Sequence, residues 1–204
     1  MSNGKYTIVI VGGTLGDVSV EQSNLRNLSE SFLGFNEPPS DTFFKKFSLD
    51  LNNQDHQEAI SLSRIIGKLQ IVIEDPIPTE VHKIEMDLMN EIHFFSFDTE
   101  AVLNPSGSSM PQWNLTKTIT SAEKGKSNYT FGRHVITTGH PMIVNLKAYN
   151  DAGKLVFSKK IEKVVCEKNA TTTLRGKLFD RRLNSMDSEV TVDAAWGAGT
   201  DVDF

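Results

Sequence analysis

The chain has 204 residues and a formal net charge of −5 at pH 7, from 21 Lys plus Arg against 26 Asp plus Glu. A nucleic acid or an anionic membrane surface needs a clustered basic face. The basic runs here are no longer than pairs such as Lys45-Lys46 and Arg181-Arg182, which excludes a nucleic-acid partner. No stretch approaches the roughly 18 consecutive apolar residues of a membrane helix, so we also expect no membrane span.

Stability has to come from a packed core, because the single cysteine, Cys166, cannot form an intramolecular disulfide. A chain of this length can bury roughly 70% of the surface that its unfolded form exposes. The length therefore fits one large β domain or two small domains.

The first predicted elements are a strand over 5–11 and a helix that follows it. Ser23 is a typical helix N-cap residue. After it, Leu25, Leu28 and Phe32 recur at helical spacing. The sequence predicts no other helix.

Alternation of apolar and polar residues dominates the rest of the chain and predicts strands. The predicted strands lie at 43–51, 68–74, 81–90, 92–97, 128–136, 171–179 and 189–194. In 68–74, Leu69, Ile71 and Ile73 share one face, as in a half-buried strand. The inward face of 81–90 is expected to hold His82, Ile84, Met86 and Leu88.

A β-hairpin is predicted over 141–158. Met142, Val144 and Leu146 form an apolar stripe in its first strand. The segment Asn150-Asp151-Ala152-Gly153 is a turn by its chemistry, because Asn and Asp bond their own backbone and Gly takes positive φ without steric cost.

The inward face changes position between two predicted strands. Ile60 and Leu62 lie on even positions, whereas Leu69 and the residues after it lie on odd ones. Gly67 would permit either a bulge inside one sheet or a crossover between two domains, and the sequence leaves both open.

Candidate ligand sites are weak in this sequence. Gly12-Gly13-Thr14-Leu15-Gly16 lacks the spacing of a dinucleotide or P-loop motif, so a glycine-rich loop between strands is favoured. His134 and His140 are close enough in sequence to share a turn, but zinc needs at least three converging ligands. Two surface histidines are the better interpretation.

The candidate catalytic and calcium residues are equally weak. Cys166 could be a nucleophile only with a histidine beside it, and a small buried hydrophobe is the better interpretation. Asp201 and Asp203 could contribute to a calcium site, but a solvated acidic tail is favoured over calcium. We therefore predict no catalytic residue, no cofactor and no metal, and expect that the protein is not an enzyme.

Several segments together resemble a known group of proteins. The segment 62–78, which runs from Leu62-Ser63-Arg64 through Gly67-Lys68-Leu69 to Asp75-Pro76-Ile77-Pro78, is similar to the mid-chain motif of the fimbrillin superfamily of Bacteroidales, with its FimB-like minor fimbrial subunit and anchor proteins. Segments 4–13, 168–179 and 190–196 agree with the same pattern. The residues that carry the resemblance are Arg64, Gly67, Lys68, Asp75, Pro78, Gly176 and Trp196.

This resemblance implies the fold. It predicts an all-β protein of transthyretin-like (Greek-key) β-sandwich type with two domains. The chain before Arg64 is too short for a complete first domain of that pattern, so we expect a small or partial domain over 1–59 and a sandwich over 60–204. Neither a signal peptide nor a lipid-attachment cysteine is recognisable near the start.

The resemblance also implies a function: a structural or adhesive component of a bacterial surface fimbria, as a minor subunit, tip or anchor at the outer membrane. Its partners would be other fimbrial subunits, joined through sheet-edge pairing, and a host glycan or host protein. The strand at 189–196 is the expected donor or acceptor.

A second class of function stays open. A carbohydrate-binding or ligand-binding β-sandwich would use exposed Trp113, Trp196 or the Phe94 to Phe97 strand as a stacking platform. Exposed aromatics around a concave patch would favour this alternative, and buried aromatics with an open sheet edge would favour the fibre subunit.

Overall fold

The computed structural model describes residues 4–14, 18–22, 28–52, 57, 59–103, 112–180 and 189–193. Within these residues it contains fifteen strands, one 3₁₀ turn at Leu28–Glu30 and no α-helix. The predicted all-β fold class is therefore confirmed. No helix in the described part of the chain has the length and apolar character that crossing a membrane requires.

The strands form four sheets. Those of the first half of the chain are β1 (Gly4–Gly13), β2 (Val18–Gln22), β3 (Ser31–Phe35), β4 (Thr42–Leu51), β5 (Ser63–Arg64), β6 (Gly67–Ile73), β7 (Lys83–Met89), β8 (Phe94–Ser96) and β9 (Val102–Leu103). Those of the second half are β10 (Leu115–Thr118), β11 (Tyr129–Val135), β12 (Pro141–Tyr149), β13 (Leu155–Val165), β14 (Thr171–Gly176) and β15 (Glu189–Asp193). The strand orders are β1-β4-β5, β2-β3-β8-β9, β11-β6-β14-β15 and β10-β7-β12-β13.

Two hydrophobic cores lie between pairs of these sheets. The first two sheets enclose one core, and we call this unit the N-terminal sandwich. The last two sheets enclose the larger core, and we call that unit the C-terminal sandwich. The β-sandwich architecture agrees with the sequence analysis, and the Greek-key order within it stays a prediction.

Aromatic side chains from both sheets fill the N-terminal core. Phe44 of β4 packs edge-on against Phe95 of β8, with ring centroids 4.9 Å apart, and stacks on Phe97 at 5.8 Å. Leu33 and Phe35 of β3 complete this buried layer. The contact joins β4 of one sheet to β8 of the other, so both sheets depend on it.

The predicted inward faces of the C-terminal sandwich are largely confirmed. Leu69, Ile71 and Ile73 are buried on β6. On β7 the predicted inward residues Ile84, Met86 and Leu88 are buried as well. The exception is His82, whose side chain is exposed. It precedes the first residue of β7 and pairs through its backbone with Tyr149 and Ile119, so its imidazole stays in water at the end of the sheet.

The predicted helix is wrong in the part that the structure describes. Leu28 begins a 3₁₀ turn, and Ser31–Phe35 forms β3 between β2 and β8. Phe32 lies on the opposite face of this strand from Leu33, and its ring packs edge-on against Phe94 at 5.1 Å. Pairing on both sides of β3 outweighs the helical spacing of three apolar residues. Ser23 and Leu25 lie outside the described residues.

The change of inward face at Gly67 marks a crossover between the two sandwiches. β5 pairs with β4 in the N-terminal sandwich, and β6 begins three residues later in the C-terminal one. The chain returns later, because β8 pairs with β3 and β9 pairs with β8. The division into 1–59 and 60–204 stays a prediction, and the strands between residues 94 and 103 add to the N-terminal sandwich.

The predicted hairpin is confirmed as β12 and β13. In its turn, Gly153 has φ +72°, and the Asn150 side chain accepts a hydrogen bond from the Lys154 N–H at 2.9 Å. Towards the far end of β13 the register shifts by one residue, with Lys163 in the left-handed region at φ +58°. This β-bulge twists the edge of the sheet away from other chains.

We expect Lys163→Gly to raise the free energy of unfolding by about 0.5–1 kcal/mol, because glycine takes the left-handed conformation without the Cβ penalty. The matched control is Lys160→Gly in the regular part of the same strand, which should lower it by about 0.5–1 kcal/mol. Urea unfolding measures both, and a loss at both positions would contradict a strained bulge at Lys163.

Candidate functional site

Arg64 ties the N-terminal sandwich to a turn of the C-terminal one. Its Nε and Nη2 donate to the two carboxylate oxygens of Asp41 at 2.5 and 3.0 Å, and its Nη1 donates to Asn169 Oδ1 at 2.6 Å. Asn169 has φ +55° and donates its backbone N–H to Ile66 O at 2.8 Å. A planar guanidinium suits this two-sided contact, which a lysine could not reproduce.

Gly67 and Lys68 act through their backbones. A Cβ on Gly67 would lie 2.6 Å from the carbonyl oxygen of Glu167, so the two chain segments can approach only if residue 67 is glycine. The Lys68 N–H donates to Ala170 O at 2.9 Å. The parallel pairing of β6 with β14 starts at this point.

Asp75, Pro78 and Gly176 lie at the other end of the same two strands. The Asp75 carboxylate accepts backbone hydrogen bonds from Leu178 at 3.1 Å and Phe179 at 2.6 Å. Gly176 O accepts from the Glu74 N–H, and Pro78 O accepts from the Val81 N–H. These contacts fix the chain where it leaves β14.

The residues that carry the sequence resemblance therefore form two groups, one at each end of β6 and β14. Arg64, Gly67 and Lys68 form the first, and Asp75, Pro78 and Gly176 form the second. Trp196 lies outside the described residues. In both groups the side chains or backbones hold neighbouring segments in register.

Two edge strands of the C-terminal sandwich resist pairing with another chain. β10 is four residues long, and β13 carries Lys159, Lys160 and the Lys163 bulge. Short length, lysines and bulges are the devices that protect sheet edges.

β15 is a further edge strand, because among the described strands it stands at the end of the sheet order and pairs with β14. Its register places Val190 and Val192 opposite Leu174 and Thr172, the two buried residues of β14. An edge strand can be exchanged for the same strand of a second chain, as in domain swapping.

The weak ligand candidates are not brought together. Gly12 and Gly13 end β1, and the next described strand is β2, so the described residues place no helix N-terminus after these glycines. His134 is half-buried, and burial lowers its pKa, whereas His140 is exposed. Within the described ranges, no three His, Cys, Asp or Glu residues converge on a metal position. Asp201 and Asp203 lie outside those ranges.

Cys166 is fully buried in the C-terminal core. Burial raises the pKa of its thiol to about 11, and its side-chain hydrogen-bond partner is Thr172. A reactive cysteine has a lowered pKa and an accessible sulfur. Cys166 has neither, in agreement with the small-hydrophobe interpretation.

The described aromatics do not form an exposed stacking platform. Trp113 is buried, and its Nε1 donates to Asn36 O at 3.1 Å. Phe95 and Phe97 are buried in the same core, and Phe94 is half-buried against Phe32. By the criterion stated above, these positions favour the fibre subunit over the ligand-binding module.

Residues 12–201 match the sequence family of unknown function DUF6562. The chain belongs to this family. No curated protein matches it.

Solved structures of candidate adhesins from Bacteroides share the fold of this DUF6562 chain. A candidate adhesin from Bacteroides ovatus aligns with a TM-score of 0.57 at 10% identity, over 79% of this chain and 66% of its own. Another candidate adhesin, from Bacteroides thetaiotaomicron, aligns with a TM-score of 0.55 at 9% identity, over 95% of this chain and 77% of its own. A second candidate adhesin from B. ovatus aligns with a TM-score of 0.51 at 11% identity, over 95% of this chain and 74% of its own. This chain thus spans about two thirds to three quarters of these proteins.

Gly67→Ala in the DUF6562 chain should lower the free energy of unfolding by about 1–3 kcal/mol, because the new methyl group meets a backbone carbonyl that cannot move alone. The control is Gly12→Ala, whose Cβ would lie 3.1 Å from the movable end of the Leu62 side chain and should cost under about 1 kcal/mol. Urea unfolding measures the stability of both variants. Equal losses of stability in Gly67→Ala and Gly12→Ala would contradict the close approach of residue 67 to the Glu167 carbonyl.

The thiol of Cys166 should react with an aromatic disulfide reagent at least about a hundredfold more slowly in the folded DUF6562 protein than in guanidinium, because burial blocks access and suppresses the thiolate. Absorbance of the released thiolate measures both rates at pH 8. Comparable rates would contradict the burial of Cys166, and a faster reaction in the folded protein than in guanidinium would indicate an activated thiol.

Proposed function

We propose that this protein is a non-enzymatic structural or adhesive component of a bacterial surface fimbria, a minor subunit, tip or anchor, located at the cell surface. Its subunits would assemble by strand complementation. This proposal rests on the position of β15 at the end of its sheet.

Among the described strands, β15 pairs with one neighbour, β14. Its five residues pair with β14 in antiparallel register, from Thr171 opposite Asp193 to Arg175 opposite Glu189. If β15 leaves, β14 exposes a row of unpaired N–H and C=O groups beside the buried residues Thr172 and Leu174. A strand of matching alternation from a second subunit would restore the same hydrogen bonds.

Exchange of this kind leads to a fibre. Each subunit would donate one strand and accept another at a different place, which is a head-to-tail contact. Such contacts continue without closing unless a ring forms. β10 and β13 are protected edges, and β11, the remaining edge strand of the C-terminal sandwich, takes no part in the exchange proposed at β14.

The structural comparisons support the adhesive part of the proposal. The three similar structures are candidate adhesins of Bacteroides species, and the fold they share with this chain suits an extended surface protein. A host glycan or host protein would be the ligand of a tip component. Other fimbrial subunits would be the partners of every component.

A disulfide staple tests the exchange. Thr173 and Thr191 are opposite residues of β14 and β15, and opposite residues of antiparallel strands lie within disulfide range. In a Cys166→Ala background, the pair Thr173→Cys and Thr191→Cys should lock β15 to its own chain when oxidised. Assembly, followed by light scattering and electron microscopy, should then stop, and a reductant should restore it.

The control staple joins Asn145→Cys and Lys160→Cys, which are opposite residues of β12 and β13. This pair constrains an edge that the proposal leaves uninvolved, so it should not affect assembly. If the β15 staple assembled as well as the control staple, strand exchange at β15 would be excluded. If neither assembled under any condition while both stayed folded, the fimbrial function itself would fail.

A further inference from the structure

A buried ion pair lies where the chain crosses between the two sandwiches. Arg133 of β11 donates from Nη2 to Glu91 Oε2 at 2.6 Å and to the backbone oxygen of Trp113 at 3.2 Å. The side chains of Arg133 and Glu91 are 7% and 3% exposed. At this burial the pair is largely shielded from water, so its geometry decides what it contributes.

The two partners of Arg133 lie on the two crossing segments. Glu91 follows β7 as the chain leaves the C-terminal sandwich, and Trp113 precedes β10 as the chain returns. Between them, β8 and β9 join the sheet of the N-terminal sandwich. We call the part of the chain from Glu91 to Trp113 the excursion. One guanidinium, that of Arg133, therefore holds both of its ends.

A second contact holds the outgoing segment. The Thr137 hydroxyl, two residues after β11, accepts a hydrogen bond from the Ile92 N–H at 2.6 Å and donates to Ile92 O at 3.0 Å. His93 stacks on Trp113 with ring centroids 3.6 Å apart and 4° between planes. The outgoing and returning segments thus touch each other as well as β11.

The excursion supplies much of the N-terminal core. Four of the ten buried residues in that core lie on the excursion, namely Phe95, Phe97, Val102 and Trp113. β8 is also one of the two neighbours of β3. If the excursion detached, the N-terminal sandwich would lose these four residues and one side of β3.

The polar atoms of the cluster are not fully satisfied within the protein. Within the part of the chain that the structure describes, Glu91 Oε1, Arg133 Nε and both ring nitrogens of His93 are buried without a hydrogen-bond partner. A buried pair with such imperfections adds little net stability, yet removing one partner leaves an uncompensated buried charge. The main effect of the Arg133–Glu91 pair is therefore to fix the position of the crossing segments on β11.

We propose that Arg133, Glu91 and Thr137 form a clasp that makes the two sandwiches a single cooperative folding unit. The clasp fixes the excursion on β11, so opening of either sandwich releases the other. This inference concerns the isolated chain and does not rest on the fimbrial function.

The chain carries one natural probe for each core. Trp113 lies in the N-terminal core and Cys166 in the C-terminal core. Both are the sole residues of their type once Trp196→Phe removes the second tryptophan. Tryptophan fluorescence and thiol labelling against urea concentration then give one unfolding midpoint for each sandwich.

The test compares two changes of carboxylate to amide. Glu91→Gln neutralises the clasp, and the matched control Asp87→Asn neutralises another buried carboxylate, whose ion pair with Lys147 stays inside one sheet. We expect coincident midpoints in the parent and in Asp87→Asn. In Glu91→Gln the Trp113 midpoint should fall below the Cys166 midpoint by about 0.5 M urea or more.

Separate midpoints in the parent would overturn the proposal, and so would coincident midpoints in Glu91→Gln. If Glu91→Gln fails to fold, Thr137→Val removes the two hydrogen bonds to Ile92 with almost no change of shape. The Thr137→Val change should also separate the Trp113 and Cys166 midpoints, by a smaller interval. Coincident midpoints in this variant would also overturn the proposal.

Discussion

The close approach of the backbone at Gly67 to the carbonyl of Glu167 is the constraint that places β6 beside β14, where the chain passes from one sandwich to the other. It lets β6 run parallel to β14 directly after the chain has left the N-terminal sandwich. β6 then has β11 on its other side, and β11 carries the residues that hold the crossing segments. A side chain at residue 67 would separate β6 from β14 and weaken the C-terminal sandwich.

The strands with regular alternation could be predicted from the sequence, because each buries one face on a core. Leu69, Ile71 and Ile73 are the clearest case, and the β12–β13 hairpin follows from its turn chemistry. The helix prediction failed because Phe32 and Leu28 have helical spacing by coincidence, and β3 is decided by its neighbours β2 and β8. Those neighbours are distant in sequence or short, so no local pattern reveals them.

The site was predictable only in part. The resemblance pointed to Arg64, Gly67 and Asp75, and the structure shows what each of them contacts, but the sequence could not show which segments they join. Glu91 and Arg133 left no signal, because an acidic and a basic residue 42 positions apart look like ordinary surface charges. Their burial depends on the excursion of β8 and β9, which is a property of the whole topology.

The excursion has a consequence for the order in which the protein can form. β4 and β5 emerge early during synthesis, but the rings that close their core lie between Phe95 and Trp113. At about 5 to 20 residues per second, roughly 2 to 10 s separate the synthesis of Arg64 from that of Trp113. Throughout this interval the first third of the chain lacks the residues that complete its native core. Pairings between such distant residues also make folding slow, so the nascent chain has a long period in which a chaperone can bind it.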